Sequence, residues 1–342
     1  MYFPYAFSCY GESMFSSVTL SAVLLTGVFS PELDKFQKIT DMITEKYIYT
    51  SHLTAPRTLA LPASLLSETP RGLQQTLIQN SNNWEEVKKH HRNQVTQDPS
   101  SVDSALKSVV DWLGDNHSVY FSAIEAKAIK QTYGDLPCLN YALQATPTRA
   151  TGLVKYEISA EDPRVGIILI EDFAGFDRSA GVKEALDALT AKGAKAFVID
   201  LRGNPGGLAV EMMRAAGFFQ SGFLWRMRLK GSFPIPLPAL GNRSYGQVPL
   251  ALVIDRHVNS AAEGFSGGLQ RVGRARVFGE TSAGNVEAIY PYCFNDGSML
   301  FLASGQLAPF SGKTWEGVGV VPDEPGTTLR DAVKWAAGQI KP

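Results

Sequence analysis

Cysteine and net charge are both scarce in this 342-residue chain. Its three cysteines, at positions 9, 138 and 293, stand far apart, and no Cys/His spacing of a zinc site occurs. An odd, sparse count does not describe a disulfide framework, so we expect free thiols and neither a metal nor an organic cofactor. The formal net charge of −1 offers no electrostatic reason to bind nucleic acid or an anionic membrane surface.

A hydrophobic run long enough to cross a bilayer is also lacking. The apolar stretch VTLSAVLLTGVF covers only residues 18–29, and a membrane-spanning helix needs about 20 apolar residues. Its length suits the core of a signal peptide, although no basic residue precedes it and Lys35 is the first. A packed segment of the mature protein is an equally good interpretation. Residues 1–30 are therefore a leader or an N-terminal extension, and the chain is extracytoplasmic in the first case and cytoplasmic in the second.

Helical periodicity dominates residues 31–125, which we expect to form an N-terminal helical subdomain. Apolar residues recur at helical spacing in LDKFQKITDMITEKY and in VDSALKSVVDWL. Gly114 follows the second segment as the expected stop of that helix. Residues 126–160 show little periodicity and are expected to form a connecting hairpin or loop.

Buried strands that alternate with helices identify residues 161–342 as an α/β core. VGIILIEDF, AKAFVIDL and PLALVIDR are nearly continuous apolar runs, as expected of strands buried on both faces, and helical segments separate them. This alternation predicts a largely parallel sheet whose functional loops follow the carboxyl ends of the strands. Residues 231–247, rich in Pro and Gly, interrupt the pattern and are expected to form a lid or a plain surface loop.

Two serines in VNSAAEGFSGGL, residues 258–269, are candidate nucleophiles. Ser266 fits the G-x-S-x-G elbow of many esterases, but that arrangement needs a histidine later in the chain. The last of the five histidines is His257, so no histidine follows Ser266, which also lies inside a predicted helix. We therefore expect Ser266 to have no catalytic role.

Ser260 stands where the strand PLALVIDR ends and a helix begins. Unpaired backbone N–H groups and the positive end of the helix dipole meet at such a point. A nucleophilic oxygen there is exposed, and the N–H of Ala261 is a candidate donor to a developing oxyanion. The local sequence alone favours a plain N-cap at Ser260, with Glu263 completing a capping box.

A second glycine-rich loop, RGNPGG at 202–207, follows another buried strand. It lacks the G-K-[ST] of a nucleotide-binding loop, so phosphate binding is not expected. Its alternative use is to bring bare backbone N–H groups close to a substrate carbonyl. Either Gly206 or Gly207 would then be the second oxyanion donor beside Ala261.

Three segments of the chain carry a wider pattern, namely GAKAFVIDLRGNPGG, PLALVIDRHVNSAAEGFSGGLQRVGRARVFGETSAGN and GVGVVPD. In this order and spacing they resemble the catalytic core of the tail-specific (C-terminal processing) serine peptidases. That superfamily also includes the tricorn core protease and the modules of interphotoreceptor retinoid-binding protein. The resemblance covers residues 164–330 and implies the α/β spiral fold shared with crotonases and ClpP. It also implies a serine peptidase that acts on peptide or protein substrates through Ser260.

Two departures from the family pattern concern the site. The processing peptidases carry a PDZ domain before the core, but the segment between His117 and the core is too short for one. They also use a Ser–Lys dyad, and position 285, where the lysine would stand, is Asn. The resemblance to the tricorn-like branch implies a Ser–His arrangement instead, in which His117 is the general base and Glu316 orients it. Asn285 is then expected to contact substrate or to support its loop.

Rival residues and rival functions stay open at this point. Glu287 and Asp115 compete with Glu316 as the orienting carboxylate, and His257 competes with His117 as the base. The alternatives to a peptidase are a non-catalytic module that binds a hydrophobic, retinoid-like ligand, and a biosynthetic enzyme that acts on a small substrate. An oligomer is compatible with the sequence, which does not define the oligomeric state.

Overall fold

The computed structural model describes residues 30–49, 53, 83–115, 117–133 and 154–341. The chain divides into two compact units, which we call the first unit (Met1–Gln144 with Pro291–Leu302) and the second unit (Ala145–Tyr290 with Ala303–Pro342). The apolar stretch 18–29 lies outside the described residues, so its two interpretations stay predictions.

Helices dominate the described part of the first unit. Their bounds are α1 (Pro31–Lys46), α2 (Trp84–Gln97), α3 (Val102–Leu113) and α4 (Ala123–Tyr133). The Ser30 hydroxyl caps α1 by accepting a hydrogen bond from the Leu33 N–H at 3.0 Å. α3 ends at Gly114, whose φ of 67° suits glycine. The two helices predicted from apolar periodicity, α1 and α3, are therefore confirmed.

Strands account for much of the rest of the described chain. Their bounds are β1 (Val119–Phe121), β2 (Val154–Ile158), β3 (Val165–Ile170), β4 (Ala196–Asp200), β5 (Gly222–Leu229), β6 (Ile235–Ala239), β7 (Leu250–Ile254), β8 (Arg276–Gly279), β9 (Glu287–Cys293), β10 (Met299–Pro309) and β11 (Glu324–Pro325). In the first unit, β1 pairs antiparallel with the beginning of β10.

The second unit is built on a six-stranded sheet in the order β11-β8-β7-β4-β3-β2. Neighbouring strands from β11 to β3 run parallel, and β2 joins the edge antiparallel. Every residue of β4 and β7 is buried, because side chains of both strands are covered on both faces. The α/β class predicted from the alternating pattern is confirmed.

Helices cover the two faces of this sheet. They are α5 (Arg178–Ala191), α6 (Ala209–Ala216), α7 (Ala261–Arg271) and α8 (Leu329–Gly338). One core cluster joins Ile199 of β4 to side chains of α5, α6 and α7, and the other joins Val198 to Val333 of α8. Within the described ranges, no helix of the chain has both the length and the apolar character needed to cross a membrane.

Two segments contain more regular structure than expected. The connection predicted for 126–160, a hairpin or loop, is described only at its two ends, where α4 extends into it and β2 pairs antiparallel with β3. VKYEI of β2 alternates apolar and polar residues, a strand signal that covers only five positions. The expected lid or loop at 231–247 contains β6, which forms an antiparallel hairpin with β5.

Cys293, the last residue of β9, takes part in a disulfide bond. The expectation that all three cysteines are free thiols is therefore wrong for this residue. Cys9 and Cys138, the other two cysteines of the chain, lie outside the described residues. Sequence spacing did not indicate the bond because pairing depends on which distant segments the fold brings together.

Candidate active site

Ser260 lies on the turn between β7 and α7, with a backbone conformation that is rare for a residue other than glycine. Its φ is 52° and its ψ is −118°. The Ser260 N–H donates to the carbonyl of Asn285 at 3.0 Å and to the carboxylate of Glu263 at 3.1 Å. These two acceptors hold the serine at the start of the helix, where the sequence predicted it.

Glu263 is the most heavily hydrogen-bonded carboxylate near Ser260. It is fully buried, and it accepts from Ser282 Oγ at 2.5 Å and from the N–H groups of Gly284 at 2.7 Å and Asn285 at 2.9 Å, in addition to Ser260. Burial raises the pKa of Glu263, and the four hydrogen bonds act in the opposite direction. The residue therefore ties the nucleophile turn to the loop 282–285, a role that goes beyond the capping box predicted from sequence.

Ser282 extends this network toward the end of the core. While its hydroxyl donates to Glu263, its oxygen accepts from the Val320 N–H at 2.6 Å. Val320 belongs to the GVGVVPD segment that carries part of the family resemblance. Ser282 has no sequence signal that indicates this contact, because its partners Glu263 and Val320 lie 19 and 38 residues away.

The glycine-rich loop approaches Ser260 closely through Gly206. A Cβ added at Gly206 would lie 2.7 Å from both the Ser260 Cβ and the Asn259 carbonyl oxygen, and 2.9 Å from the Ala261 nitrogen. Real Cβ atoms essentially never show contacts this short, so only glycine fits. The structure thus brings together the RGNPGG loop and the NSAAE segment, which are more than fifty residues apart in sequence.

Gly206 and Gly207 differ in what their N–H groups do. The Gly206 N–H donates to Asn204 Oδ1 at 2.8 Å in a buried contact. The Gly207 N–H has no hydrogen-bond partner among the described residues. Around it, the Phe173 N–H donates to the Gly206 carbonyl and the Leu208 N–H donates to the Phe173 carbonyl, at 2.7 and 2.8 Å. Of these two glycines, only Gly207 has an N–H that makes no hydrogen bond within the described ranges.

Asn204 fixes the shape of this loop and was not singled out from the sequence. It is fully buried, and its Nδ2 donates to the Ile170 carbonyl at the end of β3 at 2.8 Å. Its own carbonyl accepts from the Asn259 N–H at 3.0 Å, next to Ser260. One residue therefore connects the end of β3, through its side chain, to the nucleophile turn, through its backbone carbonyl.

Asn285 and Glu316 lie next to each other in the loop region beside Ser260. The carbonyl of Asn285 accepts the Ser260 N–H, and Glu316 Oε2 accepts the N–H of the following residue, Val286, at 2.9 Å. The side-chain oxygens of Asn259 and Asn285 are buried and accept no hydrogen bond within the described residues. Two amide oxygens near the serine therefore accept no hydrogen bond from the described part of the chain.

His117 belongs to the first unit, just beyond the end of α3. Asp115 Oδ1 accepts from the N–H groups of His117 at 2.9 Å and Ser118 at 2.5 Å, which holds the His117 backbone in a turn. Among the rivals, Glu287 begins β9, and the exposed His257 donates its N–H to Asp255 at 3.0 Å. The roles predicted for His117 and Glu316 stay predictions.

Ser266 lies in the interior of α7, as predicted. It is fully buried, and its hydroxyl donates to the Ala262 carbonyl one turn earlier at 2.9 Å. A hydroxyl in this position has neither access to a substrate nor a free backbone N–H beside it. Among the described residues there is also no group of His, Cys, Asp and Glu side chains arranged to hold a metal ion.

Residues 164–325 match the family model of peptidase family S41. The chain is 29% identical over 168 residues to "Carboxyl-terminal-processing peptidase 2, chloroplastic" of Arabidopsis thaliana, with 48% of this chain and 32% of that protein covered. It is 28% identical over 163 residues to "Probable CtpA-like serine protease" of Staphylococcus aureus (strain N315), with 47% and 33% covered. The match thus spans about a third of the length of these curated relatives.

Two solved structures share the fold over most of the chain. The photosystem II D1 C-terminal processing protease superposes with a TM-score of 0.61 at 14% identity, covering 86% of this chain and 93% of that chain. A lipoprotein from Streptococcus agalactiae superposes with a TM-score of 0.62 at 16% identity, covering 94% and 100%. The resemblance inferred from the sequence motifs is confirmed: the core at residues 164–325 matches the model of peptidase family S41 and is similar to carboxyl-terminal-processing peptidases.

Proposed function

We propose that this chain is a serine peptidase that hydrolyses peptide bonds through an acyl-enzyme formed on Ser260. The observation that carries the proposal is the positive φ of Ser260 at the start of α7. Such a conformation costs a non-glycine residue about 1–3 kcal/mol and persists only where its surroundings enforce it. A plain N-cap normally has extended backbone angles and needs no such strain. The strain therefore favours a functional role for the serine over a purely structural one.

The chemistry that follows from this geometry is acyl transfer. The Ser260 Oγ attacks the carbonyl carbon of the scissile peptide bond while a base takes its proton. The N–H groups of Gly207 and Ala261 stabilise the negative charge on the carbonyl oxygen. When the C–N bond breaks, the proton passes from the base to the leaving amine. Water then gives a proton to the base and attacks the acyl-enzyme carbonyl, and that proton returns to the Ser260 Oγ as the carboxylic acid is released.

His117 is the general base in this proposal, and Glu316 is the carboxylate that orients it. An imidazole with an ordinary pKa near 6.5 is suited to accept and return a proton at neutral pH. The Asp115 turn supports this role because it fixes the backbone of His117. The hydrogen bond from Val286 supports the role of Glu316 because it fixes that carboxylate beside Asn285.

The substrates that we propose are peptides or proteins, in line with the names of the relatives, which describe carboxyl-terminal processing. Asn259 and Asn285 are consistent with this class, because their buried amide oxygens accept no hydrogen bond from any residue that the structure describes. A peptide offers backbone N–H groups that such oxygens can accept.

Labelling with a fluorophosphonate probe and hydrolysis of a peptide library test the proposal. We expect the probe to modify Ser260, and Ser260→Ala to lose both labelling and hydrolysis by at least about 1,000-fold. Ser266→Ala is the matched control, because it removes a hydroxyl from the same helix without touching the proposed nucleophile. Unchanged labelling in Ser260→Ala, or no labelling of the native protein, would overturn the proposal.

The proposed base has its own test. His117→Ala should lower the rate at neutral pH by about 100-fold or more and remove the dependence of the rate on a group that titrates near pH 6.5. His257→Ala is the control, because this rival histidine is exposed and lies three residues from Ser260. If His257→Ala loses the pH dependence and His117→Ala keeps it, the assignment of the base is wrong.

A further inference from the structure

The outer side of the β5–β6 hairpin combines exposed aromatic rings with arginines. Phe223 and Phe310 are 52% and 49% exposed, and their rings stack with centroids 5.7 Å apart. Along β5, Arg226 donates to the Gly312 carbonyl at 2.6 Å, and the exposed Arg228 contacts Gln306 at 3.3 Å. We call Phe223, Phe310, Arg226 and Arg228 the aromatic–basic face.

The connection between β5 and β6 adds a protruding apolar tip. Phe233 is 95% exposed, and every residue from Ser232 to Pro236 is exposed. Ile235, at the start of β6, exposes 39% of its surface. Single exposed apolar residues are common on soluble proteins. A cluster of them on one element indicates a surface that binds an apolar partner.

The charge of this region is positive although the chain as a whole is nearly neutral. No Asp or Glu occurs between Glu211 and Asp255. The same segment carries five basic residues; Arg214 pairs with Glu211 at 2.9 Å, and the other four are Arg226, Arg228, Lys230 and Arg243. Two further cations lie near Phe310. Arg271 donates to the carbonyl of Ser311, the residue after Phe310, and the exposed Lys313 follows three residues after Phe310 in the chain. The net charge of the whole chain therefore hides a local excess of cations, which is what an anionic surface attracts.

The prolines of β6 argue against an extended peptide as the occupant. Pro236 and Pro238 pair with Arg226 and Phe223 of β5. Because proline has no N–H, the outer edge of β6 lacks hydrogen-bond donors at these positions, and a further strand cannot pair regularly there. A lipid bilayer offers charged headgroups and an apolar interior, so it can bind without those backbone donors.

We propose that the aromatic–basic face and the Phe233 tip dock on the surface of an anionic lipid bilayer. The guanidinium groups of Arg226 and Arg228 bind the anionic headgroups, and the phenylalanine rings enter the boundary between headgroups and acyl chains. This contact is peripheral, and it is independent of the peptidase proposal because none of its residues belongs to the proposed catalytic machinery.

Co-sedimentation with lipid vesicles tests this proposal on the full chain. We expect the protein to bind vesicles of equal parts phosphatidylcholine and phosphatidylglycerol, to bind vesicles of phosphatidylcholine alone much more weakly, and to be released by high salt. Arg226→Gln with Arg228→Gln should weaken partitioning by roughly 30-fold. Phe233→Ser and, separately, Phe223→Ser with Phe310→Ser should each weaken it by about tenfold.

A matched charge control is Lys192→Gln with Lys195→Gln, which removes two exposed cations from the turn after α5. This lysine pair should leave vesicle binding unchanged if binding depends on the cations of the aromatic–basic face and not on the net charge of the chain. The proposal is overturned if the lysine control lowers vesicle binding as much as the arginine pair does. It is also overturned if the native protein binds neither kind of vesicle. If the native protein binds no vesicles but binds an acidic polypeptide, and the arginine pair loses that binding, the face belongs to a protein partner instead. Unchanged fluorophosphonate labelling and melting temperature show that each variant is folded.

Discussion

Gly206 and Ser260 are in such close contact that a side chain on the first would collide with the second. A Cβ at Gly206 would lie 2.7 Å from the Cβ of Ser260, and equally close to the carbonyl oxygen of Asn259. One of these two obstacles is backbone, so rotation of a side chain cannot remove it. The unusual φ of Ser260 and the absence of a side chain at Gly206 are therefore two parts of one arrangement.

Replacement of Gly206 by alanine should disturb the nucleophile more than the fold. The added methyl group must push the turn at Ser260 away, and a misplacement of about 1 Å can cost about 100-fold in rate. We expect Gly206→Ala to lower fluorophosphonate labelling by about that factor. Gly203→Ala is the control, because Gly203 also has a positive φ, of 75°, but a Cβ there meets nothing within 4 Å. Equal labelling rates in the two variants would contradict the expected role of the contact.

Glu263→Gln should test whether Glu263 positions Ser260 for reaction, because the substitution leaves the proposed nucleophile itself unchanged. A glutamine offers one acceptor oxygen where the carboxylate serves four donors, so buried N–H groups would be left unpaired at about 1–3 kcal/mol each. We expect a lower melting temperature and, at temperatures where the variant is folded, a labelling rate lowered about tenfold or more. Glu280→Gln provides an exposed carboxylate as the control. If Glu263→Gln melts earlier but labels at the native rate, Glu263 stabilises the fold without positioning the serine.

These contacts also show which parts of the site could be predicted from the sequence. The place of Ser260 at a strand-to-helix turn depends on local patterns, and so does the burial of Ser266 inside α7. The α/β core could be predicted for the same reason, because its strands are continuous apolar runs.

The remaining features depend on contacts between segments that are distant in the chain. Glu263 could be recognised as a cap of Ser260, but its bonds to Ser282 and Asn285 span about twenty residues. Asn204 could not be recognised as a loop-forming residue, because its contacts lie at the end of β3 and in the turn after β7, two strands that β4 separates in the sheet. β6 was missed because its two prolines at 236 and 238, with Pro234 just before the strand, are typical of loops, yet an edge strand tolerates them.

The stability of the first unit should depend on pH through His91 in α2. This side chain is 6% exposed, its Nδ1 contacts Gln94 at 3.0 Å, and its Nε2 is buried without a partner among the described residues. Burial lowers the pKa of His91, and the neighbouring His90 acts in the same direction. Below about pH 6.5 the unfolded chain binds a proton that the folded state resists, so the free energy of unfolding should fall as the pH decreases.

Thermal melts of His91→Gln and His90→Gln at about pH 7.5 and about pH 5 measure this effect. The native protein should lose more stability between the two pH values than His91→Gln does, because glutamine carries no proton to gain. His90→Gln, which changes an exposed histidine, should keep most of the native pH dependence. The same pH dependence in His91→Gln as in the native protein would show that other groups cause the loss.

Position 285 offers a direct test of how the proposed nucleophile obtains its base. Because the Asn285 carbonyl accepts the Ser260 N–H at 3.0 Å, a side chain at 285 starts next to the serine. In the peptidases that this core resembles, a lysine at this position is the base. In a His117→Ala background, we therefore expect Asn285→Lys to restore labelling of Ser260 by about 100-fold, with a rate that rises toward alkaline pH as the amine loses its proton. Asn285→Met, which has a long side chain without an amine, should restore nothing. Equal recovery in both variants would show that the length of the side chain, and not its basicity, assists the serine.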